Sequence, residues 1–554
     1  MNKLLLAAAL ILSSATLISQ NDPYGFSLTE EKFNELETIE LQTFDHTLLL
    51  NEDTEIERAG GRSNFGRIIP FYFNENNSGQ WTELSNGDRI WQVRVKTSGA
   101  QGVCIYFNDL YLPQGSSLVF YPSDRSYYVG PFGNSDCNDH GHFMAGEIIG
   151  DEGVLEYYEP ATVIGDARIG MRGVAHLYRW VYDYRDEESR GGGSDVCEVD
   201  VNCPEGAGWE SQRDAVVRLQ IVDGANVGLC SGSLVNTTAK DCRKYILTAM
   251  HCGEDVSDSD WLDCSVRFKY QRAACTSGST PSTNNKIGVF HLADSNDGGG
   301  ATGSDFLLLE LEDAIPASWN PFFAGWNAEN TAAANAVSIH HPSGDRKKIS
   351  TTENIISGTY NATGYHWRVI WMETETNWGV TEGGSSGSPL FDENRRLVGT
   401  LTGGLSFCDD PNAPDYYGKM SKHWTANPNA ANQKLKVWLD PGDTGLLTMD
   451  GSYVHDGAAL PCDPSIVGVD ESLQFDEIRI FPSLTHDNLT INTDKYREIK
   501  EVRIFDNSGR MVQSFGLSEL TTMFNTSQFA DGLYYISFIS RSGSFVTQKF
   551  AVQH

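Results

Sequence analysis

Apolar and polar positions alternate along residues 21–190 in short runs such as RIWQVRVKT (89–97) and SSLVFYP (116–122). Turn-forming stretches, SNGD, PQGSS and PSDRS, separate them. A period of two broken by such turns predicts strands with one buried face, and so a small β-rich unit. Residues 191–454 carry more of the same: DAVVRLQIVD (214–223), KYILTAM (244–250), DFLLLELED (305–313) and RLVGTLTGG (396–404). Helical spacing is confined to ANQKLKVWLDPG (431–442), which stops at Pro441. Short alternating strands return over 475–554, among them NLTINT, EVRIFDNSGRMVQSF and GLYYISFIS, and predict a separate small β-sandwich. The expectation is a mainly β chain of several units.

What lies between these units completes the plan. Residues 1–20 read as Lys3, an apolar run from Leu4 to Leu12 and then small polar residues, the pattern of a cleaved secretory signal too short to span a bilayer. YDYRDEESRGGGSD (182–195) is charged, then glycine-rich, the composition of an exposed linker open to proteolysis. The acidic stretch 455–474 reads as a second linker.

Composition narrows the function. At 554 residues there is material for three or four cores. A net charge of -33 argues against nucleic acid as a partner, since nothing would neutralise phosphates, and it fits either cationic substrates or simply a well-solvated acidic surface. The chain has eleven cysteines and no CxxC pair, which points to disulfides in an oxidising compartment and away from zinc. Neither a metal nor a cofactor is expected.

Chemistry concentrates in TEGGSSGSPLF (381–391), three serines among glycines that let backbone approach a substrate closely. A nucleophilic serine needs a base and a group that orients the base. LTAMHCG places His251 at the end of an apolar run beside Cys252, and TGSDFLLLEL places Asp305 at the head of another. Chain order His–Asp–Ser within one cysteine-rich block makes them candidates for a triad. GGSSG also fits the G-x-S-x-G elbow with Ser385 at its centre. That elbow needs an apolar strand before it and a helix after it. Here ETETNWGVTE precedes and LFDENRRLVGTLTGG, a hairpin pattern, follows, so the elbow reading loses.

LTAMHCG, GSDFLLLEL and GGSSGSP resemble the His, Asp and Ser blocks of chymotrypsin-fold serine endopeptidases, with GSSGSP standing where most members have GDSGGP. The resemblance implies a double β-barrel, Ser386 as nucleophile, His251 and Asp305 as its partners, and an oxyanion hole from the N–H groups of Gly384 and Ser386. Over 192–453 the chain is similar to bacterial lysyl endopeptidases, through CEVDVNCPEG, CSGSLVNTTAKD, FFAGWNA, SIHHPSGD, DYYGKM and VWLDPGDTG. This implies disulfides Cys197–Cys408, Cys203–Cys275 and Cys230–Cys252. It leaves Cys242 and Cys264 for a fourth, and Asp415, in APDYYGK, as the pocket carboxylate that reads a basic side chain, Lys preferred. A trypsin pocket would put its acid at 380, which is Val380.

Thr402 departs from the family, whose known members have a pocket His there, stacked on a Trp with no counterpart here. This leaves mixed Lys/Arg specificity as an alternative, and an inactive binding or adhesion relative as a second one. Ser385 replaces the acid that trypsin-like zymogens pair with a new N-terminus. Latency is therefore expected from residues 21–190 acting as a propeptide, closed by Cys104–Cys137 and removed by cleavage between Arg190 and Gly191. The tail resembles type IX secretion sorting domains over about 75 residues, through RIFPS, VRIFDNSGRMV and GLYYISF, although the usual Asn after the Pro is Ser483. Expected partners are thus protein or peptide substrates, the propeptide and a secretion machinery. The enzyme is expected to be a monomer, extracellular or at the cell surface, with Cys462 left unpaired.

Overall fold

The computed structural model describes residues 22–179, 193–453 and 478–553, apart from 59, 139, 278–283, 301, 427–429 and several positions of the last segment (483, 487, 494–495, 497–498, 507–509, 518–520 and 541–544). The signal stretch, Arg190 and Gly191, the 455–474 linker, Cys462 and Ser483 lie outside the described residues.

The described chain is mainly β. In the N-terminal region, strands Arg89–Lys96, Glu152–Glu159 and Ser117–Pro122 pair antiparallel in one sheet. Strands Ser63–Phe73, Arg168–Leu177 and Gly102–Tyr111 pair in a second. The alternation seen in sequence turns Trp91, Val93, Val103, Ile105, Phe120 and Leu155 into one shared core.

This second sheet does not end with the N-terminal region. Strand Ser63–Phe73 also pairs antiparallel with Asn226–Leu234, in the register Leu229 to Ser63 and Gly228 to Asn64. From there the sheet runs on through Val216–Asp223 and Ser265–Phe268. Tyr245–Thr248 joins the other part of Asn226–Leu234, and Leu307–Leu311 pairs with Tyr245–Thr248 in turn. A further sheet holds Ala336–His340, Pro389–Asp392, Leu397–Gly404, Asp415–Lys419 and Thr363–Ile370 in successive antiparallel pairs. The C-terminal region forms a three-stranded and a five-stranded sheet around Ile491, Val502, Ile504, Ile536 and Phe538.

Three disulfides join Cys197–Cys408, Cys203–Cys275 and Cys230–Cys252. The other two expected pairs do not form. Cys104 and Cys137 are free thiols. Cys104 is fully buried in mid-strand opposite Ala175, whereas Cys137 Sγ accepts from Leu112 N, past the far end of that strand. Eight residues at a rise of about 3.3 Å each put them some 25 Å apart, far beyond disulfide reach. Cys264 is also a free thiol, buried against Val222 and Asp260. Cys242 is disulfide-bonded, but not to Cys264. The helix expected over 431–442 splits into a 3-10 turn, Ala431–Gln433, and a short α-helix, Leu435–Leu439, of which only Leu435 and Leu439 are buried.

Candidate active site

His251 sits in the 3-10 turn Met250–Cys252, which follows strand Tyr245–Thr248 directly. The Cys230–Cys252 bridge ties that turn to the neighbouring strand. Asp305 comes from the loop before Leu307–Leu311, where it takes a left-handed backbone (φ 58°) that only a few residue types adopt readily. Asp297 holds it there, accepting from the N–H groups of Gly300 at 3.2 Å and Asp305 at 2.8 Å.

These two side chains meet. Asp305 Oδ2 lies 2.7 Å from His251 Nδ1, and its Oδ1 accepts from the His251 N–H at 3.0 Å. Both bonds fix the ring's tilt and leave Nε2 as the nitrogen not engaged by Asp305. Burial would raise the Asp305 carboxyl, but the imidazole and these hydrogen bonds hold it below the usual carboxylate range. Behind it, His366 is fully buried next to Gly300 and is pushed down to about 4 by burial.

The serine turn abuts the same spot. Ser231 N donates to Ser386 O at 2.8 Å, and Ser231 Oγ to Gly384 O at 2.9 Å. Gly387 presses so closely on Thr248 and Ala249 that a Cβ would lie 2.0 Å from Thr248 Oγ1, which is why glycine stands there. Ser385 N donates to Glu382 O, Ser388 N to Ser385 O and Gly387 N to Leu401 O on a neighbouring strand, while among the described residues the N–H groups of Gly384 and Ser386 have no acceptor. Ser385 is fully buried, its Oγ bonded to His340 Nδ1 and to Glu382 N, and so cannot reach a substrate. Ser388 is likewise fully buried. Ser386 alone of the three is partly exposed. Among the described residues its Oγ has no hydrogen-bond partner, His251 Nε2 included.

Asp415 is fully buried at the start of strand Asp415–Lys419. Trp371 Nε1 (2.6 Å), Thr381 Oγ1 (2.7 Å), Ser406 Oγ (2.7 Å) and Ser406 N (3.1 Å) all donate to it. Burial raises its carboxyl, and these donors oppose the rise. The two segments flanking it, 380–385 and 403–406, are those that bracket Ser386. Gly404 lies so close that a Cβ there would sit 1.7 Å from Asp415 Oδ1. Thr402 is buried on the other side, where a Cβ on Gly300 would meet it at 2.8 Å beside Asp305 and His366, and Tyr360 packs over Gly403. Four uncharged donors fix the carboxylate without neutralising it.

Sequence reasoning missed Trp371, Thr381, Ser406, Asp297 and His366. Thr381 opens TEGGSSGSPLF and Asp297 lies a few residues before TGSDFLLLEL, but nothing in their local spacing marks them as supports.

Residues 191–418 match the family model "Lysyl endopeptidase, C-terminal domain", and residues 479–553 match "Secretion system C-terminal sorting domain". A lysyl endopeptidase of Pseudomonas aeruginosa is 32% identical over 370 residues, 62% of this chain and 75% of that protein. A solved structure of Rv3671c from M. tuberculosis H37Rv, in an inactive form, aligns over 40% of this chain and 87% of that one at 16% identity, with a TM-score of 0.25 that carries no weight.

Proposed function

The chain belongs to the lysyl endopeptidase family, and from that we propose a secreted serine endopeptidase, made as a proenzyme, that cleaves on the carboxyl side of basic residues with Lys preferred. Its sorting domain marks it as a secreted or cell-surface protein. Residues 1–20 are read as the signal, 21–190 as the propeptide, 191–454 as the protease and 475–554 as the sorting domain. The two sheets of the protease are read as the barrels of a chymotrypsin-like fold, with the triad between them.

The observation that carries this reading is the bonded His251–Asp305 pair set against a turn whose Gly384 and Ser386 N–H groups stay free. In the proposed reaction His251 Nε2 takes the Ser386 proton as Oγ attacks the scissile carbonyl, and the oxyanion settles on those two N–H groups. His251 then gives the proton to the leaving amine. Water, deprotonated in turn by His251, cleaves the acyl-enzyme and frees Ser386. Asp305 holds the ring's tautomer and stabilises the imidazolium. Asp415 pairs with the ammonium of the substrate side chain, placing the following bond at Ser386.

Latency has support in the continuous sheet. Strand Ser63–Phe73 covers the edge of Asn226–Leu234, and Arg62 Nη1 donates to Cys252 O at 2.6 Å, one residue from His251. A fluorophosphonate probe followed by peptide mapping tests the assignment. The expected label falls on Ser386 after removal of the N-terminal region, and Ser386→Ala loses both label and hydrolysis. A label on Ser385, or retained hydrolysis in Ser386→Ala, would refute it.

A further inference from the structure

We infer that Arg218 and Arg267 form a subsite for an acidic side chain of the substrate, at the second or third residue beyond the scissile bond. This rests on reading the N-terminal region as removable.

The two arginines are direct partners on neighbouring strands, and their guanidinium groups lie 5.6 and 5.2 Å from the ring centre of Tyr270. Between them comes one carboxylate, Glu147, from the N-terminal region. Its Oε1 is 3.1 Å from Arg218 Nη1 and its Oε2 is 3.5 Å from Arg267 Nη1. Burial would raise this carboxyl, yet the two arginines hold it down to about 2. In the precursor, then, the cleft already holds an acid.

Its place relative to the candidate triad gives it meaning. Arg218 pairs across the sheet with Ser231, the residue that bonds Ser386 and Gly384. Gly344 bridges the two sites: a Cβ on it would meet Leu229 at 2.4 Å and Arg218 Nε at 3.4 Å, while its own N lies 3.0 Å from the Cβ position of Gly384. A substrate with its basic side chain toward Asp415 has its carbonyl at Ser386. The chain beyond the scissile bond must leave on the opposite side, across Ser231 and Leu229. That edge is where strand Ser63–Phe73 now lies, with Ser63 opposite Leu229. Extended peptides add to such edges as a further strand. Removing the N-terminal region would withdraw the strand and Glu147 together. An incoming peptide would then meet two guanidinium groups whose last occupant was a carboxylate. Arginine pairs of this kind favour carboxylates and repel Lys or Arg.

The test uses matched fluorogenic peptides with Lys at the cleavage point and Glu or Gln at the second or third position after it. They are assayed with the full chain and with the enzyme freed of its N-terminal region. We expect the freed enzyme to cleave the Glu peptide about tenfold faster in kcat/KM than its Gln twin, the size of one charge-assisted hydrogen bond. High salt should reduce the ratio, and Arg267→Gln or Arg218→Gln should bring it toward one. A rate that rises on removal with no preference for Glu overturns the subsite and leaves the precursor reading standing. Equal rates on the Gln peptide before and after removal overturn the precursor reading, and this inference with it.

Discussion

At the residue scale the account turns on two carboxylates with opposite surroundings. The Asp305 carboxyl is held low by an imidazole, whereas Asp415 is surrounded by neutral donors and, in the proposed function, meets the substrate's ammonium. Asp415→Asn should therefore lower kcat/KM on Lys peptides by about 10²–10³-fold, the scale of a lost buried charge pair, with much less effect on small neutral esters. Asp305→Asn should lower kcat by about 10³–10⁴-fold with little change in KM, because the wrong tautomer is then presented to Ser386. Steady-state kinetics on both substrate types separates the two. His251, Asp305 and Ser386 each sit in a short string with its own local signature, and the structure bonds the first two to each other. Trp371, Thr381 and Ser406 were not legible in the sequence, since they converge on Asp415 from three separate segments and only the folded chain puts them together.

At the scale of elements, strands were legible throughout because alternation is a property of the sequence itself. The 431–442 helix was overestimated: its apolar spacing is helical, but only Leu435 and Leu439 find a core to bury against. Cys104 and Cys137 show how pairing fails from counting alone, for the strand between them separates rather than joins them. The Cys230–Cys252 bridge is different, closing a loop that carries His251 at its end. Replacing both cysteines by Ala should cost about 3 kcal/mol in urea denaturation, as expected for a loop of this length. Activity should fall as well, because the His251 turn loses its tie to the strand that bonds Ser386.

At the scale of the whole molecule, the independent N-terminal unit expected from sequence proved to share a sheet with the region that follows. No local pattern reveals an edge-to-edge pairing between distant segments. Five fully buried histidines among the described residues set a pH limit on the fold: His340 and His423 are pushed down to about 3, His176 and His366 to about 4 and His341 well below its usual range, in each case first by burial. Unfolded imidazoles bind protons below about 6.5, so each costs the fold about 1.4 kcal/mol per unit as pH falls from about 6.5 toward 4. His423→Gln should flatten the pH dependence of urea midpoints over that window, and an unchanged slope would show that His423 is not held neutral. The central claim is tested most directly by digesting a mixed protein sample with the enzyme freed of residues 21–190 and sequencing every new C-terminus. The account predicts termini ending in Lys, with Arg in the minority, and none from Ser386→Ala; termini spread over uncharged residues, or the same Lys termini from Asp415→Asn, would contradict it.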